Sequence, residues 1–289
     1  MDTKEILKKV RSIEIKTKGL SNHIFAGEYN TAFKGRGMTF SEVREYEIGD
    51  DLRTIDWNVT ARYNSPFVKV FEEEREITLM LMVDVSSSSG FGTNKRFKRE
   101  LVSEISAVLA FSAIKNNDKV GVIFFSDKIE KFISPSKGKK HILRIIKEIL
   151  TFESTSKKTN IKKALEYFNR VTKKRSICFL LSDFFDSDFF EPVKLSAKRH
   201  DLVAVNTLDS RELEIPNVGL LSLQDSEEDN EILVDSSDRK FRRNFKNKQL
   251  SRLETLKKEL SLCGADYIQL LTQEDIISPL INFFKNRKK

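Results

Sequence analysis

Asp84, Ser86 and Ser88 stand at alternate positions in the stretch LMVDVSSSSGFG (81–92). Because side chains of an extended chain alternate between its two faces, this spacing turns three oxygen donors to one side. The run that leads in, ITLMLMVDV (77–85), is almost wholly apolar, the pattern of a parallel strand covered on both faces. A carboxylate at the end of such a strand is costly unless something meets it. The arrangement recurs in SICFLLSD (176–183), a second apolar strand that ends in Asp183, while Thr159 and Asn160 open a helical segment before it. In a doubly wound sheet the carboxyl ends of the first and fourth strands flank the crevice where strand order reverses. Asp84, Ser86, Ser88, Thr159 and Asp183 are therefore expected at one edge. Two carboxylates with three hydroxyls suit a small hard cation, Mg²⁺ foremost, with Mn²⁺ or Ca²⁺ as alternatives. The hydroxyls add no charge, some ligation runs through water, and an open position remains for a carboxylate of another molecule. Each piece also has a plainer reading. Ser-rich loops beside helices are commonly caps and turns, Thr159 or Asn160 would serve as an N-cap, and Asp183 would cap the helix that comes after it.

Periodicity gives the scaffold for these groups. Residues 95–116 carry helical spacing, with Leu101, Ile105, Val108, Leu109 and Ala113 near one face. KVGVIFFS (119–126) reads as a strand, DKIEKFIS (127–134) as its hairpin partner, and KKHILRIIKEILTF (139–152) and TNIKKALEYFNRVTKK (159–174) as helices. After SICFLLSD come a helix near 189–198, the strand DLVAVNTL (201–208), a β insertion near 213–236, a long basic helix from about 238 to 262, the strand DYIQLL (266–271) and a last helix. Strands alternating with helices predict an α/β fold, a doubly wound and mostly parallel sheet with helices on both faces. Residues 1–75 break that rhythm and form a separate segment ahead of a sheet domain at 76–289. The segment starts with a Lys-rich amphipathic helix and is expected to pack directly on the sheet domain, with VKVFEEERE (68–76) pairing as an edge strand with the ITLMLMVDV run next to it in the chain. Gly35 and Gly37 suit a tight turn, since KGRG lacks a phosphate-loop spacing.

GRGMTFSEVREYEIGDDLRTIDWNVTARYNSPFVKVFEEERE (35–76), succeeded by the Asp84 group, resembles the bacterial family known as domain of unknown function 58. The likeness runs from about Lys16 onward and GDDLRTIDW is its most specific part. Residues 77–289 resemble a von Willebrand factor A-like domain, and Asp84, Ser86, Ser88, Thr159 and Asp183 match that domain's metal ion-dependent adhesion site. Members of the narrower family are commonly encoded beside MoxR-type AAA+ ATPases, so the resemblance implies such an ATPase as partner. Phe184 stands where many relatives of the broad domain have glycine, whereas Ser182, Asp183 and Phe184 match the narrower family's Ser-Asp-Phe. Within the N-terminal motif, Arg53 and Arg62 are expected to satisfy carboxylates while Trp57 wedges the segment onto the sheet domain; the sharper alternative makes Asp50, Asp51 or Asp56 part of a second polar site. Phe184 and Phe185, beside Phe189 and Phe190, are candidates either for a partner-binding rim next to the metal edge or for helix core.

Composition limits the function classes. With 39% hydrophobic and 33% charged residues and only 11 Gly and 5 Pro, the chain is globular. No secretory signal and no apolar run of membrane-spanning length is present, which predicts a cytoplasmic protein. Cys178 and Cys263 have no Cys or His neighbour at ligand spacing and read as inert thiols. The formal charge of +8 invites a nucleic-acid reading, but the lysines are scattered and mixed with acids, as in RFKRE (96–100), and no nucleic-acid motif accompanies them. A basic, solvated surface accounts for the charge without a specific nucleic-acid partner. The expected function is a Mg²⁺-dependent protein-interaction module, not an enzyme, that grips an acidic residue of a partner. The alternative is a phosphoryl-transfer enzyme of phosphatase type; it wants a second acid two residues beyond Asp84, where Ser86 cannot protonate a leaving group. His23, His141 and His200 suggest no catalytic triad; His141 is read as lining a helix start and His200 as a surface residue ahead of a strand.

Overall fold

Between Gly37 and Glu74 the chain doubles back on itself. Strand β1 (Gly37–Glu45) runs antiparallel to β2 (Phe67–Glu74), with a bulge between Phe40 and Glu42. Helix α1 (Trp57–Tyr63) lies in the connection; Asp56 caps its start by accepting from Asn58 N and Val59 N, and Asn64 ends it in the left-handed region at φ 57°. The computed structural model describes residues 12, 37–74, 77–92, 96–224 and 231–287, which form two compact units that part between Ile77 and Thr78. The Lys-rich helix expected at the amino terminus and Gly35 fall outside these residues, Ser12 apart. Two expectations for the first unit are corrected. Gly37 is the opening residue of β1, aligned with Glu74, and makes no tight turn. Residues 68–74 pair with β1, not with the run next to them in the chain.

That run has no edge to offer, which is why the expected pairing fails. Strand β3 (Thr78–Asp84) is interior to a six-stranded sheet made with β4 (Lys119–Phe125), β5 (Ile129–Ser136), β6 (Ile177–Ser182), β7 (Asp201–Leu208) and β10 (Asp266–Leu271), in the order β10-β7-β6-β3-β4-β5. All neighbours are parallel except the β4–β5 hairpin. The chain therefore leaves β3 toward one edge and returns to lay β6 on its other side, so the order reverses between β3 and β6. A separate hairpin, β8 (Leu220–Gln224) with β9 (Glu231–Asp235), occupies the insertion between β7 and β10.

Residues 79–83 are all buried, as the unbroken apolar run requires. Even-numbered Met80 and Met82 share a core with Ile161, Leu165 and Phe168 of α4 (Ile161–Val171), Val193 of α5 (Phe190–Arg199) and Leu256 and Leu260 of α7 (Arg239–Leu262). Odd-numbered side chains point the other way, toward α2 (Lys98–Lys115), which runs against β3, β4 and β7 and packs on α3 (Lys139–Thr151). Short α6 (Ser210–Leu213) comes after β7, and α8 (Ile277–Asn286) ends the described chain. Among the described residues no helix is long and apolar enough to cross a membrane.

His200 corrects another expectation. It is buried at the end of α5, with its ring 4.5 Å from that of Phe168 and no hydrogen-bond partner for either nitrogen among the described residues. Burial, with Arg199 and Arg175 adding, pushes its pKa down to about 4, so the imidazole is neutral. His141 does line a helix start, with Nε2 2.8 Å from the Val120 carbonyl. Cys178 and Cys263 are free.

Gly121, inside β4, is closely packed against β3 and β5. A Cβ there would lie 2.8 Å from Met80 Sδ and 3.0 Å from Pro135 N, and the backbone of Pro135 cannot move aside without disturbing the β4–β5 hairpin. Gly121→Ala is expected to destabilise the protein by about 1–3 kcal/mol, measured by urea denaturation of the two proteins side by side.

Candidate functional site

Strand register builds the site. Val83 of β3 sits opposite Leu181 of β6, so one step further along both strands brings Asp84 level with Ser182 and leaves Asp183 at the rim. Ser182 Oγ donates to Asp84 Oδ2 at 2.6 Å. The backbone N–H of Ser86 donates to Asp84 Oδ1 at 3.0 Å, a short loop closure that starts the 3-10 turn Ser87–Gly90. Ser86 Oγ then lies 3.1 Å from Ser88 Oγ, and the Ser88 hydroxyl is close enough to the Asp183 carboxylate to favour its charged form. Asp84, Ser86 and Ser88 thus form one hydrogen-bonded group at the point where strand order reverses, with the Asp183 carboxylate beside it.

Backbone contacts on either side of Thr159 anchor its segment to the serine loop and to the end of β4. The Lys157 carbonyl accepts from Ser87 N at 3.2 Å and Ser87 Oγ at 3.1 Å, and Asn160 N donates to the Ser126 carbonyl beyond the end of β4 at 2.9 Å. Thr159 is held between these two anchors. It does not cap α4: Asn160 Oδ1 accepts from Lys163 N at 2.8 Å, and Asp186 Oδ2 accepts from Ile161 N at 2.7 Å. Nor does Asp183 cap a helix, since α5 begins seven positions later at Phe190.

The electrostatics are set by a side chain that sequence reasoning missed. Lys98, the first residue of α2, was expected in the solvated mixed-charge stretch RFKRE; it is instead only 2% exposed. Its Nζ donates to Asp183 Oδ2 at 3.0 Å and to Glu212 Oε1 at 2.5 Å. Burial would raise the Asp183 carboxyl, but the Lys98 ammonium, helped by the Ser88 hydroxyl and Phe185 N, holds it below the usual carboxylate range. Among the described residues Asp84 has no such partner. Burial first, and the Asp183 charge second, push its pKa up to about 7 despite the bonds from Ser182 and Ser86. Glu212 is also raised by burial, more than Lys98 lowers it. For Lys98 itself, burial works against the charge, and Asp183 and Glu212 more than restore it.

The rim after Asp183 is held in an unusual conformation. Phe184 has φ 54°, a region bulky side chains rarely enter, at a cost of about 1–3 kcal/mol. Three contacts hold it there. Its N–H donates to Ser182 Oγ at 3.1 Å, Arg252 Nη2 from α7 donates to the Asp183 and Phe184 carbonyls at 3.1 and 2.8 Å, and its ring packs in the core 5.9 Å from that of Phe189. Phe184 is therefore not a partner-binding rim; with 2% exposure it is core. Phe185 is 44% exposed, and the Arg252 guanidinium lies 3.4 Å from its ring centre. Glu212 and Arg252 gave no local signal in the sequence; Lys98 gave one only in its position on the first turn after the serine loop.

The GDDLRTIDW motif satisfies its acids within the first unit. Gly49 takes φ 116°, a turn conformation open to glycine. Asp50 meets Arg44 through two bonds of 2.9 and 2.7 Å and accepts from Glu47 N, and the Arg44 bond draws its pKa down. Asp51 caps a 3-10 turn through Arg53 N, and Asp56 caps α1 with Lys69 3.5 Å away. The expected roles of Arg53 and Arg62 are corrected: both side chains are exposed, and the arginine that meets a carboxylate is Arg44. Trp57 is 70% exposed and does not fill the interior of its unit.

Among the described residues no three His, Cys, Asp or Glu side chains gather as at a metal centre built from those types alone. The family model described as "Protein of unknown function DUF58" matches residues 42–254. "Uncharacterized protein Rv1480" of Mycobacterium tuberculosis (strain ATCC 25618 / H37Rv) is 26% identical over 292 residues, covering 100% of this chain and 92% of the relative. "Uncharacterized protein YeaD" of Bacillus subtilis (strain 168) is 29% identical over 110 residues, 38% of this chain and 25% of the relative. The solved structure of an aerotolerance-related membrane protein from Bacteroides fragilis NCTC 9343 matches with a TM-score of 0.51 at 16% identity, covering 73% of this chain and 98% of that one; this is a likeness of fold.

The raised carboxyl of Asp84 gives a stability signature. Between about pH 4 and 7 the unfolded chain ionises Asp84 while the folded one keeps its proton, so this residue subtracts stability as pH rises through that window and by a constant amount above it. Asp84→Asn, a neutral isostere, is expected to match wild type near pH 4 and to exceed it by on the order of 2 kcal/mol at pH 8, read from denaturation curves in EDTA; a gap that narrows with rising pH refutes the assignment.

Proposed function

We propose, for a chain that belongs to the DUF58 family of proteins of unknown function, that the sheet unit is a von Willebrand factor A-like domain acting as a metal-dependent protein-interaction module without catalysis of its own. The observation that carries this reading is the gathering of Asp84, Ser86, Ser88 and Asp183 at the reversal of strand order. The strand order and the fold likeness to the Bacteroides protein support the fold assignment.

The donor set fits a hard divalent ion. Carboxylates and hydroxyls are the ligands Mg²⁺ prefers, and the Asp84 carboxyl, raised by burial first and by the Asp183 charge second, is one that a bound cation would return to its charged form. Asp84, Ser86, Ser88, Thr159 and Asp183 are the residues that would hold Mg²⁺, or Mn²⁺ or Ca²⁺ in its place. When bound, the ion supplies an electrophilic position open to a carboxylate from outside. The protein's own residues define the approach: Phe185 and its stacked Arg252 stand exposed and half-buried at the rim, a flat surface against which a partner chain bearing an acidic residue could rest.

Such a module suits an adaptor that works in the cytoplasm with a MoxR-type AAA+ ATPase in remodelling or maturing other proteins, the partner implied by the sequence resemblance. The test is retention of that ATPase by the immobilised protein in Mg²⁺ and in EDTA, for wild type and Asp84→Ala. Wild type is expected to hold it in Mg²⁺ only, and Asp84→Ala to weaken retention at least tenfold, about 1.4 kcal/mol. Tight retention by the variant in EDTA would count against the adhesion mechanism. Turnover of a generic phosphoester that vanishes in Asp84→Ala would favour phosphoryl transfer instead.

A further inference from the structure

A lysine at the first position of an 18-residue helix is electrostatically misplaced. The helix start carries partial positive charge and favours acids, and burying an ammonium group is costly unless it is paired. Lys98 nevertheless turns inward, with its Nζ bonded to Asp183 at 3.0 Å and Glu212 at 2.5 Å and the Phe91 ring 5.9 Å away. Asp183 belongs to the proposed metal site; Glu212 does not, and it is anchored separately. Glu212 Oε2 accepts from Asp209 N at 2.7 Å, and Asp209 is in turn bonded by Thr272 Oγ1 at 2.6 Å and Arg211 N at 2.9 Å. The ammonium thus bridges one carboxylate that the site needs and one that the rest of the fold keeps in place.

We propose that Lys98 is a tethered cation that competes with the divalent ion for Asp183, so that the ion enters only as Lys98 releases Asp183 and retains Glu212. This rests on the metal reading above. A single positive charge on a side chain occupies the site's second carboxylate, while Asp84, the first, is left crowded. A divalent ion between the two carboxylates stands close to the ammonium and repels it, and Glu212 gives the displaced group a partner that burial would otherwise deny it. The consequence is a site tuned to weak divalent binding, which tightens when Lys98 is neutralised and weakens when its resting place is removed.

The experiment uses the full chain, stripped of metal, with Mn²⁺ as the probe, read by calorimetry and by the loss of the free-ion paramagnetic resonance signal. Lys98→Met, which keeps the length and removes the charge, is expected to bind Mn²⁺ at least tenfold more tightly than wild type. Glu212→Gln is expected to bind at least threefold more weakly. Equal or weaker binding by Lys98→Met overturns the competition while leaving the metal reading intact. Should that variant not fold, an unchanged or tighter Kd in Glu212→Gln overturns it. Absence of Mn²⁺ binding in every folded variant and in wild type removes the metal reading, and the competition with it.

Discussion

Two buried carboxylates at the ends of neighbouring parallel strands are the constraint around which the sheet unit is arranged. Asp84 and Asp183 are brought close by the register of β3 on β6, and like charges in a dry place cannot both ionise freely. The fold meets this in two ways. Lys98 reaches in from α2 to keep Asp183 charged, and Asp84 retains its proton up to about pH 7 while bonded by Ser182 and Ser86. The serine loop, the start of α2, the turn at α6 and the Arg252 clamp from α7 all lie where they do in relation to this pair. These four segments converge on it, and the parallel sheet supplies the rigid edge from which they are hung.

Much of the architecture was legible because it depends on local pattern. Unbroken apolar runs such as 79–83 and 177–182 can be strands only if both faces are covered, and the helical spacing of Ile142, Ile145, Ile146 and Ile149 needs no tertiary knowledge. The alternation Asp84, Ser86, Ser88 likewise showed on its face that three donors would turn together. What the sequence concealed depends on partners far along the chain. Lys98 is buried because Asp183 and Glu212, 85 and 114 positions away, surround it; within RFKRE only its place on the first turn after the serine loop sets it apart. Adjacency in sequence favours pairing β2 with β3, but β3 is enclosed by β4 and β6 and β2 pairs with β1. In the first unit, the acids of GDDLRTIDW found backbone amides, Arg44 and Lys69, where pattern had suggested Arg53 and Arg62.

The two units differ in how they use charge. In the first, carboxylates lie near the surface and stabilise turns and helix starts, a role in which screening by solvent keeps each contribution small. In the second, charge is enclosed, every group alters its neighbour's ionisation, and removing one member leaves the others exposed to the full cost of burial. A change of one residue in the buried cluster is therefore felt by the whole of it, whereas the surface caps behave independently.

Phe184 carries a separate lesson about interchangeability. Its backbone angle is one that glycine adopts without effort, yet its ring fills space beside Phe189 that glycine would leave empty. Torsional ease and a filled interior make opposite demands on this single position, and no amino acid meets both. The bend after β6 is thus locked to this side chain, and a related chain that carries glycine there must fill the vacated volume from another element.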